Sequence, residues 1–175
     1  MTETLTDHHT AADPEVRTLL AVLGAQRRHV LGALEGLPAE ALLTPVLPSG
    51  WSCAGLVRHL ALDVERFWFQ AVLAGDRTVI GLLDEEEDAW RVPAGTDPGE
   101  VVARYRQEAA RADALAAAAG PDAPLAWWPH ELFGPPHLHD LRGLLLHVIT
   151  ETACHAGHLD AARELLDGRQ WLVLD

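Results

Sequence analysis

The stretch HVITETACHAGHLDAARE, residues 147–164, decides the fold of this chain. On a helical wheel of about 100° per residue, Val148, Leu159 and Ala162 form one apolar stripe. His155 falls in the middle of that stripe, and Glu151 stands beside it one turn earlier. The stretch therefore predicts a long helix that turns an imidazole and a carboxylate towards a hydrophobic core.

Three more segments with helical periodicity lie outward from this one, and helix-capping residues mark their ends. Asp-Pro pairs and Ser are favoured where helices begin, and Gly is favoured where they end. The four predicted helices open at Asp13-Pro14, Ser52, Asp97-Pro98 and Asp140, and they end at Gly36, Gly75, Gly120-Pro121 and Gly168.

The segments between these helices are predicted to be loops. Prolines exclude a long helix from residues 37–50, and the acidic run 84–88 is expected to be solvated. Residues 125–139, rich in proline and aromatic side chains, are expected to form a structured loop. We therefore predict an all-α fold, a four-helix bundle with long crossover connections, in one domain over residues 1–175. Residues 1–12 are expected to be a flexible N-terminus, and residues 171–174 to pack against the bundle.

Composition excludes several functions. The chain has 175 residues with 26 acidic and 13 basic side chains, and its net charge of −13 disfavours nucleic-acid and membrane partners. All the basic residues are arginines, so Schiff-base lysines and the usual P-loop are absent. Neither serine lies in a GxSxG context. The polar start and the lack of a long apolar run predict a cytoplasmic protein.

Four other side chains are predicted to be structural. Cys53 and Cys154 are expected to be thiols without a catalytic role, because Cys154 lies about 100° from His155 on the wheel. Tyr105 is expected to be a core residue with a bonded hydroxyl. Trp68 lies almost opposite His59 on the second helix, which predicts packing against the first helix or a partner subunit.

Polar residues also intrude on the second helix. His59 lies at the edge of its apolar stripe, Asp63 follows one turn later, and His158 flanks His155 on the last helix. Burial of unpaired imidazoles would cost several kcal/mol. Either these groups hydrogen-bond one another in a metal-free core, or a cation lies between them. Two imidazoles and one carboxylate suit zinc, nickel or iron(II), and they leave positions open for water or substrate.

The stretch 147–164, together with WSCAGLVRHLALDVERFWFQAVLAGD at 51–76, closely resembles the mini-circle branch of the DinB-like metalloprotein superfamily. The resemblance implies a four-helix bundle that holds a divalent metal ion. Carried over to this sequence, the ligands are His59, Glu151 and His155. Zinc is the first expectation for the metal, with nickel or iron as alternatives.

Many relatives have histidine at the position of Glu151. The glutamate of this chain resembles the mycothiol-dependent maleylpyruvate isomerases, which have glutamate there. The resemblance implies a thiol S-transferase in which the metal activates a low-molecular-weight thiol such as mycothiol or bacillithiol. His158 is the predicted catalytic residue. Its alternative roles are fourth metal ligand, general base, and partner that orients a ligand.

Binding residues are expected at the mouth of the bundle. Trp128 and His137 are the predicted cofactor-binding pair. Other candidates around that mouth are Trp127, Phe133, His139, Trp90 and Arg91.

Two functions compete with the transferase. The first is a non-catalytic metal-binding or stress-related bundle, in which His158 closes the site, and the second is a metal-dependent hydrolase. A small-molecule substrate is expected for either enzyme. The apolar residues 171–174 also suggest a homodimer.

Overall fold

A computed structural model describes residues 13–83 and 88–171, and within these ranges the fold is all-α without a β-strand. This confirms the predicted fold class. The elements in chain order are α1 (Pro14–Leu34), α2 (Ala39–Leu43), α3 (Cys53–His59), a π-helix (Leu60–Leu73), α4 (Arg77–Leu82), α5 (Pro98–Ala118), α6 (His130–Phe133) and α7 (Leu141–Asp167).

The four predicted helix starts are present as N-caps, and Gly168 is the C-cap of the last helix. The Asp97 carboxylate accepts the Gly99 N–H at 2.9 Å, and the Asp140 carboxylate accepts the Gly143 N–H at 2.8 Å. Gly168 ends α7 with φ of 76°, a left-handed conformation that favours glycine. These local interactions explain why the sequence predicted α5 and α7 closely.

The long elements enclose one hydrophobic core. Helix α1 packs along α7, the π-helix packs along α5, and α7 also contacts both α3 and the π-helix. The core includes the fully buried side chains of Leu23, Leu56, Leu60, Tyr105, Leu144 and Leu159. Helix α7 thus lies against α1, α3 and the π-helix, so its polar side chains can meet those of these three elements.

The second long helix differs from its prediction. The expected single α-helix from Ser52 to Gly75 is α-helical only to His59, and residues 60–73 are π-helical. At its end the Ala74 N–H donates to the Phe69 carbonyl at 3.1 Å, across five residues. In a run this apolar, the spacing of hydrophobic residues does not separate a π-helix from an α-helix. The change begins directly after His59.

Trp68 shows the consequence, because the expectation that it packs against the first helix or a partner is wrong. Its buried ring contacts His147 of α7 at a centroid distance of 4.5 Å and stacks on Phe133 at 5.6 Å. A wheel of 3.6 residues per turn misplaces side chains along a π-helix, so the predicted direction of Trp68 failed.

Trp171 packs onto α1 as predicted for the start of the tail. Its ring stacks on His29 at 5.7 Å and lies so close to Gly32 that a Cβ there would be 1.9 Å from it. The expectations for residues 1–12, 84–87 and 172–175 lie outside the described residues. Among the described helices, none combines the length and apolar character needed to cross a membrane.

Candidate functional site

Two histidines from different helices meet at the start of the π-helix. His59 is the last residue of α3 and His155 lies in the middle of α7, and their ring centroids are 5.0 Å apart with the rings nearly perpendicular. His155 is buried and the His59 side chain is 15% exposed. The structure therefore brings together the two imidazoles that the sequence singled out.

The carboxylate of Asp63 orients the His59 ring. His59 Nδ1 lies 2.8 Å from Asp63 Oδ2, one helical turn onward. Because a carboxylate accepts, this hydrogen bond places the proton on Nδ1 and leaves the lone pair on Nε2. A carboxylate behind a histidine is the usual arrangement for a metal-binding imidazole.

His155 has a polar neighbour at each ring nitrogen. Nε2 lies 3.7 Å from Glu151 Oε2, and Nδ1 lies 3.3 Å from Nδ1 of His158. Burial, reinforced by His59 and His158 and opposed by Glu151, lowers the pKa of His155 to about 4. His155 is thus neutral at neutral pH, which is the protonation state that coordinates metal ions.

The donor set fits a divalent ion chemically, although its side chains are not arranged around a completed site. Across residues 13–83 and 88–171, no three His, Cys, Asp or Glu side chains are placed so that they could hold a metal ion as they stand. Glu151 Oε2 lies 3.7 Å from His155 Nε2, but the three side chains do not form such a group. The ligand set His59, Glu151 and His155 therefore stays a prediction.

Trp90 packs against both imidazoles. Its ring stacks on His59 at a centroid distance of 4.2 Å and meets His155 at 5.4 Å. Trp51 contacts Trp90 at 6.4 Å and His158 at 6.3 Å. Of the aromatic candidates from the sequence, Trp90 is thus the one in contact with the histidine pair.

These two tryptophans also line a cavity of about 740 Å³. Its walls come from the segment before α3, residues 43–52, and from the loop of residues 88–96, including Arg91 and Thr96. The sequence did not identify residues 92–96 as part of a cavity wall, because the turn residues Pro93 and Gly95 are the only signal in this stretch. The volume is in the range of small-molecule sites.

Trp128 and His137, the predicted cofactor-binding residues, lie in a different cluster. Trp128 donates its indole N–H to the Gly134 carbonyl at 2.9 Å and contacts the His137 ring at 4.9 Å. Trp128 also contacts Trp68, whose ring touches His147. Burial lowers the pKa of His147, one turn before Glu151. A cofactor-binding role for Trp128 and His137 stays a prediction.

The cysteines are free thiols. Cys53 is buried, and burial raises the pKa of its thiol to about 11, so it is not a thiolate at neutral pH. Cys154, which directly precedes His155 in the sequence, is exposed.

A second group of polar side chains, which the sequence reasoning missed, lies between α1, the π-helix and α5. We call Arg27, Glu65, Gln70, Glu108 and Asp113 the ionic layer; the first four are buried and Asp113 is half exposed. Arg27 binds Glu65 with two hydrogen bonds of 2.6 Å and Asp113 with a third of 2.6 Å. The only sequence signal was a carboxylate on an apolar helix, because the partners of Glu65 are far along the chain.

Two further contacts complete this layer. Gln70 donates to Glu108 Oε2 at 2.5 Å, and Arg104 Nε lies 2.6 Å from Glu108 Oε1 outside hydrogen-bond geometry. Tyr105 is buried beside them, and its hydroxyl has no hydrogen-bond partner among the described residues. The expectation of a bonded Tyr105 hydroxyl is therefore wrong, since no described residue is placed to donate a hydrogen bond to it or accept one from it.

Comparison with protein families gives one finding. A family model described as Mycothiol-S-transferase matches residues 18–168, from the first turn of α1 to the cap of α7. The match contains both imidazoles, Glu151 and the cavity loop. A search of curated proteins gives no significant match.

Proposed function

Because the chain belongs to the mycothiol S-transferase family, and so to the DinB-like superfamily, we propose that it transfers a mycothiol-type thiol onto a small electrophile. A divalent metal ion is the proposed cofactor, and a DinB-type four-helix bundle is the proposed arrangement of the long helices. The observation that carries this proposal is the contact of His59 with His155 beside the cavity at Trp90.

His59, Glu151 and His155 are the proposed metal ligands, with zinc as the first candidate and nickel or iron as alternatives. When bound, the ion lowers the pKa of a coordinating thiol, so that a thiolate is present at neutral pH. Asp63 supports this role because it holds the proton of His59 on Nδ1 and leaves Nε2 available.

In the proposed reaction, the thiol loses its S–H proton and the sulfur forms a bond to the electrophilic carbon. The bond from that carbon to the leaving group breaks, and the leaving group departs with the electron pair. His158 is the proposed acceptor of the thiol proton, because its exposed ring faces His155 and can return a proton to water.

The cavity is the proposed site for the body of the thiol. Trp51 and Trp90 line it, and aromatic rings suit the C–H-rich surfaces of sugar-like molecules. Asp88, Ser52 and Thr96 add polar groups at its walls, which suits a polyhydroxylated compound.

The test is formation of a thioether. Metal-free protein is supplied with zinc, mycothiol and a haloalkyl bimane, and the conjugate is measured by mass spectrometry. We expect conjugate above the uncatalysed rate, dependent on zinc and abolished by His155→Ala. The control is His29→Ala, which removes an imidazole bound to Asp160 on the far side of α7.

Two results would overturn the proposal. One is a conjugate rate at the uncatalysed level with each of zinc, nickel and iron(II). The other is thiol-independent hydrolysis of a nitrophenyl ester that His155→Ala abolishes, since that result would indicate water activation and a hydrolase.

A further inference from the structure

We infer that Trp90 is a positioning residue, which holds the His59 ring so that Nδ1 binds Asp63 and Nε2 stays available to a ligand. This inference rests on the proposed function for its purpose, but its geometry stands on contacts of the protein alone. Trp90 stacks on His59 with an interplanar angle of 17° and a centroid distance of 4.2 Å.

The His59 ring is constrained in two directions. Asp63 Oδ2 fixes the Nδ1 edge at 2.8 Å, but one hydrogen bond leaves the ring free to tilt about it. The indole of Trp90 covers one face of the ring and removes this freedom. With Nδ1 bonded to Asp63 and one ring face covered by Trp90, the edge of His59 that carries Nε2 remains for a ligand.

The loop that carries Trp90 is itself fixed to α3. Arg58 Nη1 donates to the Asp88 carbonyl at 2.9 Å, and the Asp88 carboxylate accepts the Trp90 N–H at 3.0 Å. The Trp90 carbonyl oxygen approaches Gly55 so closely that a Cβ at residue 55 would lie 2.2 Å from it. Gly55 is therefore required for this approach, one turn before His59.

The same indole joins the histidine pair to the cavity. Trp90 contacts the His155 ring at 5.4 Å and is also one of the residues that line the cavity. A thiol whose body lies in the cavity would thus reach the imidazoles past the edge of this ring, which makes Trp90 the shared wall of the two parts of the site.

The experiment measures the tautomer of His59 and the affinity for zinc in four variants. Nuclear magnetic resonance of the ring nitrogens reports the tautomer without metal, and competition with a chelating dye reports zinc affinity. The wild type is expected to carry the His59 proton on Nδ1. Trp90→Ala is expected to keep the His59 proton on Nδ1, because Asp63 is still present, and to bind zinc at least tenfold more weakly.

Three variants separate positioning from general damage. Trp90→Phe keeps a ring on His59 and is expected to stay within about threefold of wild-type zinc affinity. Gly55→Ala moves the loop without removing an aromatic ring and is expected to behave like Trp90→Ala. Trp171→Ala removes an indole stacked on His29, away from the site, and is expected to match the wild type.

The inference is overturned if Trp90→Ala keeps the zinc affinity of the wild type, or if Trp90→Phe loses as much zinc affinity as Trp90→Ala. It is also overturned if Trp90→Ala no longer carries the His59 proton on Nδ1, since the loss would then come from the Asp63 contact and not from the tilt of the ring. Failure of the proposed function has a different signature: a wild type that makes no thioether while its zinc affinity still falls in Trp90→Ala.

Discussion

The histidine pair and the ionic layer are both groups of polar side chains in an apolar interior, but their hydrogen bonding differs. In the ionic layer, the fully buried carboxylate of Glu65 receives two hydrogen bonds from Arg27. In the histidine pair, His59 Nε2 is left without the carboxylate that engages Nδ1, and a cavity lies next to the adjoining ring.

This difference indicates which buried polar group serves structure and which serves binding. A group whose charges are matched within the chain has little left to offer a ligand, and breaking it leaves an uncompensated charge. An imidazole costs less to bury in its neutral form than an ion does, and the neutral ring keeps a lone pair that a ligand can use. The number of polar residues in a core is therefore a poorer guide to a binding site than the donor and acceptor atoms that the chain itself does not engage.

The largest expected effect comes from breaking the ionic layer. Arg27→Met leaves Glu65 buried without a counter-charge, so we expect a loss of about 3–5 kcal/mol in the free energy of unfolding. Urea denaturation followed by circular dichroism measures it. Arg28→Met, at an exposed position on the same helix, is the matched control and should change stability by less than about 0.5 kcal/mol.

The double variant Arg27→Met, Glu65→Met sharpens this result. If the cost arises from an unpaired charge, removal of both charges should restore most of the lost stability. A double variant as unstable as Arg27→Met alone would mean that the layer acts through packing, and the contrast with the histidine pair would fail.

A smaller effect is expected from Tyr105→Phe. The hydroxyl is buried without a partner among the described residues, so its removal breaks no hydrogen bond that the structure shows. We expect unchanged or slightly raised stability, within about 1 kcal/mol, in the same urea experiment. A loss of more than that would place Tyr105 within the hydrogen bonding of the ionic layer.

The smallest effect is expected from an ion pair on the surface. Arg142 donates to Glu15, and this hydrogen bond lowers the pKa of Glu15 below its ordinary value of 4.5. A carboxyl group whose pKa is lowered in the folded state stabilises the fold at pH values above its ordinary pKa. This stabilisation is lost as the pH falls through the folded-state pKa. Glu15→Gln should therefore lower stability slightly at pH 7, and this effect should shrink as the pH falls below 4.5, measured by thermal unfolding.

The sequence predicted the long helices well because their ends are local. Asp97-Pro98 and Gly168 act on neighbouring backbone groups, so no knowledge of the rest of the fold was needed. The π-helix was missed because its distinguishing feature is a hydrogen-bond register, and the apolar run that adopts it reads equally well as an α-helix.

The candidate site was predictable in part for the same reason. His59 with Asp63, and Glu151 with His155, are pairs one turn apart on single helices, and their spacing is visible in the sequence. The contact of Trp90 with His59 joins residues 31 positions apart and depends on how a loop docks at Gly55. Likewise Arg27 meets Glu65 across 38 residues, which no local pattern records.

Metal content tests the central claim most directly. Protein purified without a histidine tag would be incubated with zinc, freed of excess ion and analysed for bound metal, with His155→Ala beside the wild type. We predict about one equivalent of zinc in the wild type and its loss in His155→Ala, with both proteins folded by circular dichroism. Wild type and variant that are equally free of metal after incubation with zinc, nickel and iron(II) would contradict the account.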